Sequence, residues 1–258
     1  MEDYYGVKLF DRISRKLYLT ENGRRALQYA RHIIDLLDEM EQGVRDVDAM
    51  GRLKVGTSIT IGTYLLPGYI KKLKQQYPAL KAEASIANSG TIEQQILDND
   101  IDVGIIEGVA HSPFILSESF AGDRLVFICP AGHEFAGKTL EELSEVRNQD
   151  FILREKGSAG REIFDGILAA QELNVRPIWQ SASNQVILQG VKAGLGISIL
   201  PYFLVRQDIR EGELAEFRIK DLALNRKYSV IYHKNKFLPR SARTLMELCK
   251  EGNGADRI

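Results

Sequence analysis

Cysteine is scarce in this sequence. The 258 residues include two cysteines, Cys129 and Cys249, and one pair cannot form the disulfide framework of a small secreted domain. A reducing compartment, the cytoplasm, is therefore expected. Cys129 ends the apolar run Leu125-Val-Phe-Ile-Cys129, and neither cysteine has a neighbouring cysteine or histidine at metal-ligand spacing. This pattern predicts a buried, unreactive thiol.

Net charge and long apolar runs are also lacking. The formal net charge is −1, so any contact with nucleic acid must come from a local basic patch. No apolar run approaches the ~20 residues that span a bilayer. The N-terminus begins Met-Glu-Asp-Tyr-Tyr, without the basic and then apolar segment of an export signal. These absences predict a soluble protein that is not exported and does not contact a membrane.

Catalytic motifs are absent as well. The four histidines, His32, His111, His133 and His233, are scattered, and no spacing pairs them with a nucleophile or a metal. Ser58 is not flanked by the glycines of a nucleophile elbow, and no glycine-rich phosphate loop occurs. We therefore expect no catalytic residue, no metal and no cofactor.

The first 20 residues have two short apolar arms around a polar turn, a pattern that predicts a β-hairpin. Basic side chains outnumber acidic ones in this segment. They could contact phosphate, or they could belong to an ordinary solvated hairpin. From Lys8 to Thr20 there is one acid, Asp11, and the basic residues are Lys8, Arg12, Arg15 and Lys16.

A long helix is predicted after the hairpin. Thr20 is a suitable N-cap, no proline occurs before Pro67, and the pattern continues to about Met50. Its apolar residues form two adjoining stripes, which predict packing against a second copy of the helix. Packing against its own domain is the alternative. The stripes are Leu27, Ala30, Ile34 and Leu37, and Ile33, Leu36, Met40, Val44 and Val47.

From Gly51 onward, strand and helix patterns alternate, which favours an α/β fold. Strands are predicted near 52–57, 80–87, 102–107, 123–130, 151–153, 176–181, 194–200 and 227–233, and helices near 58–77, 89–97, 161–173, 184–193 and 242–249. Two such series, joined by the strands near 125–130 and 227–233, predict two lobes connected by two strands. In such a body, ligands bind in the crevice at the carboxyl ends of the strands.

Polar side chains that could line this crevice follow the strands of both lobes. Hydroxyls near the unpaired N–H groups of a helix N-terminus, with arginine nearby, suit a small anion or carboxylate. Alternatives remain open, because the four short polar residues could be N-caps and Arg161 could be solvated. Arg154 could pair with Glu155 or with an acid across the cleft. The candidate ligand-binding residues are Ser58, Thr60, Arg154, Ser158, Arg161 and Asn184.

Five motifs, in order, resemble those of the LysR-type transcriptional regulators. The first two motifs are the most specific. In the family, the first follows the recognition helix and the second opens the linker helix. The motifs are Tyr5-Gly-Val-Lys-Leu-Phe-Asp-Arg12, Leu19-Thr-Glu-Asn-Gly23, Gly51-Arg-Leu-Lys-Val-Gly-Thr-Ser58, Ile101-Asp-Val-Gly-Ile105 and Ala193-Gly-Leu-Gly-Ile-Ser-Ile-Leu-Pro201. The resemblance implies a dimerising linker helix before a two-lobed effector domain of periplasmic-binding-protein type 2, with an effector site that includes Ser58 and Thr60.

The resemblance also implies a domain organisation. The implied segments are a winged helix-turn-helix remnant at 1–20, a linker helix at 21–50 and an effector domain at 51–252, with lobe I at 51–127 and 232–252 and lobe II at 128–231. The family carries a base-reading helix ahead of the residue that aligns with Met1. The resemblance accordingly implies that the chain touches DNA phosphate through Arg12, Arg15 and Lys16 but does not recognise an operator by itself. Ala159 and Gly160 depart from the family branch that the turn 154–161 resembles.

We therefore expect a cytoplasmic, ligand-responsive transcriptional regulator that binds a small anionic effector and is at least dimeric. A solute-binding receptor for a small anion is the alternative, and an enzyme on the same scaffold is a third. Oligomeric state separates the first two, because a regulator should associate through its helix and a receptor should be monomeric.

Overall fold

A computed structural model of the chain describes residues 1–13, 16–45 and 51–251. A short helix, α1 (Glu2–Tyr5), ends at Gly6, which has the left-handed φ of 65° that favours glycine. Strands β1 (Phe10–Ile13) and β2 (Lys16–Leu19) then pair antiparallel, so the hairpin predicted near the N-terminus is present.

Helix α2 (Glu21–Arg45) follows the hairpin, and its start agrees with the sequence pattern. The Gly23 N–H donates to Thr20 Oγ1 at 2.9 Å, so Thr20 caps the helix. Residues 46–50, where the helix was expected to end, lie outside the described residues. The large apolar side chains that α2 exposes are Leu27, Tyr29, Ile33, Ile34, Leu37 and Met40.

The rest of the chain alternates strands and helices, as expected. The strands are β3 (Arg52–Ser58), β4 (Lys81–Ala87), β5 (Val103–Glu107), β6 (Ile115–Pro130), β7 (Thr139–Leu140), β8 (Phe151–Arg154), β9 (Pro177–Ser181), β10 (Ser198–Pro201), β11 (Leu214–Ile219) and β12 (Asn225–His233). The helices are α3 (Ile59–Tyr64), α4 (Leu66–Gln76), α5 (Ser89–Leu97), α6 (Ala159–Ala170), α7 (Asn184–Lys192), α8 (Tyr202–Arg210) and α9 (Arg240–Glu251), with a 3-10 turn at Leu143–Val146.

The main sheet has the order β4-β3-β5-β12-β6-β11-β7, and β10 also pairs with β6. Strands β3, β4 and β5 are parallel, whereas β12 is antiparallel to both β5 and β6. The first part of β6 pairs with β12 and the last part pairs with β10 and β11. The long strand β6 therefore runs from one half of the fold into the other.

Separate cores lie on the two sides of this crossing. One contains Leu53 and Val55 of β3 together with Leu245 of α9. Another packs the ring of Phe127 at the end of β6 against Phe164 of α6, with ring centroids 5.8 Å apart. The fold is thus α/β and two-lobed, in agreement with the sequence pattern.

The structure also corrects several sequence expectations. The single helix expected over 58–77 is divided at Leu65, because Pro67 cannot donate a helical hydrogen bond and starts a new helix instead. Helix α8 begins directly after Pro201, where we expected only a strand end. Within the described ranges, every helix is too short or too polar to cross a bilayer.

Candidate functional site

The first side of the crevice is built where β3 runs into α3. Thr57, Ser58 and Thr60 are each at most 2% exposed. Their hydroxyl oxygens have no hydrogen-bond partner among the residues that the structure describes. Ser58 occupies the N-cap position of α3 with extended backbone angles but makes no side-chain cap bond in the described structure. Since buried hydroxyls are normally hydrogen-bonded, these oxygens mark a place that accommodates a polar group.

The second side is the turn between β8 and α6. Ser158 is the N-cap residue of α6 and is 5% exposed, yet within residues 51–251 its hydroxyl makes no capping hydrogen bond. The unpaired N–H groups of a helix N-terminus carry partial positive charge. Gly157 makes the turn with a left-handed φ of 85°.

The two sides touch at this turn. The Gly90 N–H at the start of α5 donates to the Gly157 carbonyl oxygen at 3.1 Å. A Cβ placed on Gly108, directly after β5, would lie 3.1 Å from the Ala159 Cβ at the start of α6. The N-terminus of α6 therefore lies directly against the strand ends of the first lobe.

The two predicted arginines are engaged by internal partners. Arg154 Nε and Nη2 donate to the Glu155 carboxylate at 2.9 and 3.1 Å, and Nη1 donates to Asn184 Oδ1 at 2.8 Å. Arg161 Nε donates to Asp165 at 2.7 Å and Nη1 donates to the Arg154 carbonyl at 3.1 Å. Arg161 is 7% exposed, so the alternative that its side chain is solvated is wrong. The alternative that Arg154 pairs with Glu155 is confirmed.

Asn184 is not the N-cap of α7. The cap of α7 is Ser183, whose hydroxyl accepts the Val186 N–H at 3.3 Å. Asn184 instead lines a groove of about 520 Å³ that also includes Ile59 from the first lobe and apolar side chains of α7 and α8. The structure thus brings the second-lobe Asn184 to the same crevice as the residue that follows Ser58.

A buried ion cluster beneath the strand ends was missed at the sequence level. Arg226 of β12 donates through Nε and Nη2 to Asp123 of β6 at 2.6 and 2.7 Å, and its Nη2 lies 3.4 Å from Glu107 Oε1. Burial alone would lower the pKa of Arg226, but the charges of Glu107 and Asp123 outweigh burial and raise it. No short-range motif could reveal this cluster, because its members lie on strands far apart in sequence.

One histidine bridges the two lobes. Glu93 of α5 accepts the backbone N–H groups of His111 and Ser112 at 2.8 and 2.7 Å, and it lies 3.2 Å from His111 Nδ1. His111 Nε2 is 3.7 Å from Glu162 of α6. This contact is a second connection between α5 and the second lobe, in addition to the hydrogen bond from Gly90 to Gly157.

Only one group of carboxylates in the described segments has the spacing of a metal site, and it comprises Asp208, Glu211 and Glu213. Lys192 Nζ contacts Asp208 and donates to Glu213 at 2.5 Å. The ammonium group therefore already pairs with two of these three carboxylates.

The predicted DNA-phosphate residues lie on the N-terminal hairpin. Arg12 of β1 and Lys16 of β2 are exposed, and their strands are directly paired. Arg15 lies outside the described residues.

A two-lobed α/β body with a polar crevice at its strand ends defines a class of ligand-binding domain, the periplasmic-binding-protein-like fold of type 2. Residues 48–254 match a family model described as the LysR substrate binding domain. The uncharacterized HTH-type transcriptional regulator YeiE of Escherichia coli (strain K12) is 34% identical over 255 residues, which cover 98% of this chain and 85% of the relative. The chain belongs to the LysR family of transcriptional regulators.

Solved structures share the same fold. The CcmR regulatory domain of Synechocystis PCC6803, solved in complex with 2-PG, has a TM-score of 0.71 at 24% identity and covers 79% of this chain and 98% of that chain. The effector binding domain of QuiR, in complex with shikimate, has a TM-score of 0.70 at 15% identity and covers 81% of this chain and 100% of that chain.

Proposed function

We propose that this regulator responds to a small anion or carboxylate held in the crevice between the strand ends of lobe I and the N-terminus of α6. In this proposal Ser58 and Thr60 hydrogen-bond the anion from lobe I. Ser158 and the free N–H groups of α6 bind it from lobe II. The relatives are named transcriptional regulators, so the site is assigned a sensing role and no catalytic step.

One observation carries this proposal. The hydroxyl oxygens of Thr57, Ser58 and Thr60 are buried without a hydrogen-bond partner among the described residues, and a buried hydroxyl left unsatisfied costs about 1–3 kcal/mol. A bound anion would accept hydrogen bonds from Ser58 and Thr60. The positive end of α6 would add a favourable electrostatic contribution.

The proposal gives a supporting role to Arg154, Arg161 and Asn184. Arg161 holds the Arg154 carbonyl and Arg154 holds Asn184, so together they fix the turn that presents Ser158. Their positive charges lie close to the helix N-terminus, while their hydrogen bonds already go to protein groups. We expect them to set the geometry of the site.

Isothermal titration tests the site. The probes are 2-PG and shikimate, which the CcmR and QuiR domains hold in their solved structures, and inorganic phosphate and sulfate. At least one probe should bind, and Ser58→Ala and Ser158→Ala should each weaken its binding by about tenfold, because each removes a hydrogen bond to a charged group. Ser144→Ala, in an exposed turn, is the matched control. Binding of no probe, or equal binding by all variants, would refute the site.

The remaining parts of the proposal concern the N-terminal elements. We propose that the exposed apolar face of α2 joins two copies of the chain, and that Arg12, Arg15 and Lys16 contact DNA phosphate. The segments 1–20, 21–50 and 51–252 would then serve DNA contact, dimerisation and sensing in the cytoplasm. A monomeric chain that binds an anion would instead favour a solute-binding receptor. Light scattering coupled to size exclusion separates the two.

A further inference from the structure

Glu107 is an acidic side chain at the strand-end edge of the sheet that carries the proposed anion site. It is the last residue of β5 and is 4% exposed. Thr57 of β3 pairs with Ile105 of β5, so alternation along the strand puts Glu107 on the same sheet face as the Thr57 hydroxyl. The next residue, Gly108, abuts Ala159 at the start of α6.

The charge around Glu107 is not balanced inside the protein. The cluster of Glu107, Asp123 and Arg226 has two carboxylates and one guanidinium, a formal sum of −1. Asp123 holds Arg226 through two short hydrogen bonds, while Glu107 Oε1 accepts no hydrogen bond from any described residue and lies 3.4 Å from Arg226. Glu107 is therefore the carboxylate with acceptor capacity to spare.

We infer that Glu107 makes this crevice selective for anions that carry their own hydrogen-bond donor, such as a hydroxyl group or a retained proton. This inference rests on the proposed anion site and adds a specificity-determining residue to it. A carboxylate accepts a hydrogen bond from such a donor, whereas a fully deprotonated anion beside it meets only like charge. A site built to bond a ligand O–H group rejects an analogue that lacks it.

Phosphate and sulfate form a matched pair of probes for this selectivity. Both are tetrahedral oxyanions of similar size. At neutral pH every phosphate species retains at least one proton, whereas sulfate retains none. Their size and shape are alike, so a preference that Glu107→Gln abolishes reports the acceptor at Glu107.

The experiment is isothermal titration of the full chain at pH 7 and constant ionic strength with phosphate and with sulfate. Wild-type protein should bind phosphate at least about tenfold more tightly than sulfate. Glu107→Gln replaces the carboxylate with an amide that can donate to either anion, so its preference should fall to about threefold or less. The control Glu141→Gln changes an exposed glutamate paired with Lys220 and should keep the wild-type ratio.

The outcomes separate this inference from the proposed site. Equal binding of the two anions by wild type, or tighter binding of sulfate, would overturn the role of Glu107 and leave the anion site standing. Binding of neither anion would overturn the role of Glu107, and failure of 2-PG and shikimate to bind as well would overturn the anion site. An unchanged ratio in folded Glu107→Gln would also overturn the inference, because a purely structural residue alters stability and not the ratio. If that variant does not fold, the wild-type ratio decides alone.

Discussion

Removing one partner from the ion cluster that joins β6 to β12 should be one of the most destabilising single changes to a polar side chain in this protein. Arg226 is almost completely inaccessible, with 3% of its side chain exposed, and Asp123 satisfies it with hydrogen bonds of 2.6 and 2.7 Å. The two residues are directly paired in the strand register. Asp123→Ala would leave a buried guanidinium with Glu107 as its remaining ion-pair partner in the described structure.

The expected cost follows from burial. Asp123→Ala removes both short hydrogen bonds of a buried ion pair, and breaking such a pair typically costs about 3–5 kcal/mol, whereas exposed pairs contribute little. For a chain of this size, each kcal/mol lowers the melting temperature by about 2–4 °C. Asp123→Ala should therefore lower it by about 6–20 °C. Glu107→Gln should cost less, because it removes a longer ion-pair contact and keeps a polar group beside Arg226.

Thermal unfolding followed by circular dichroism measures this difference. The matched control is Glu83→Ala, which removes a carboxylate at 2.6 Å from Arg52 on the surface, where both side chains are at least half exposed. This control should unfold close to wild type despite its equally short contact. If Asp123→Ala and Glu83→Ala shift the melting temperature equally, then contact distance and not burial governs these pairs, and the reasoning fails.

Three further predictions concern other parts of the chain. Ile33→Asp on the exposed face of α2 should convert an oligomer to a monomer in light scattering, and an unchanged mass would remove α2 from the interface. Burial raises the pKa of Cys129 to about 11 and that of Cys249 to about 12, so a thiol reagent should label neither in the native protein and both in urea. Hydrogen bonds from Lys250 and then Tyr232 lower the pKa of Glu118 below 4.5, so its stabilisation is present above that pH and is lost as pH falls through the folded value. Glu118→Gln should flatten the acid side of the stability profile, and an unchanged slope would contradict this assignment.

Local patterns were sufficient for most of the secondary structure. Helix α5 has the bounds expected from the sequence, because a cap residue precedes it and apolar residues recur at helical spacing. Asn88 Oδ1 accepts the Thr91 N–H at 2.9 Å as that cap. Strand β5 also follows the prediction closely, since its continuous apolar run is typical of a strand buried on both faces.

The candidate site residues could be named from the sequence, but their hydrogen-bond partners could not. Topology predicts that Ser58 and Ser158, which follow β3 and β8, face one crevice, and this stays a prediction. The partners of Arg154 and Arg161 could not be predicted, because a guanidinium offers five donors and the nearest acceptors depend on how the turn 154–161 folds. The link between Glu107 and Arg226 depends on strand order, which places β12 between β5 and β6.

The concentration of buried polar groups at this one edge of the sheet argues for function over stability. A core made only of apolar side chains would avoid the desolvation of Ser58, Thr60 and Glu107, and replacing a buried ion cluster with hydrophobic groups is often neutral or stabilising. The two cores that β6 connects are packed with apolar side chains, such as Phe127 and Leu53. Where a sequence departs from local consistency at a cost in stability, the departure is typical of a site that is kept for binding. The crevice should therefore tolerate stabilising apolar substitutions that abolish ligand response, and that trade-off separates a sensing site from a structural one.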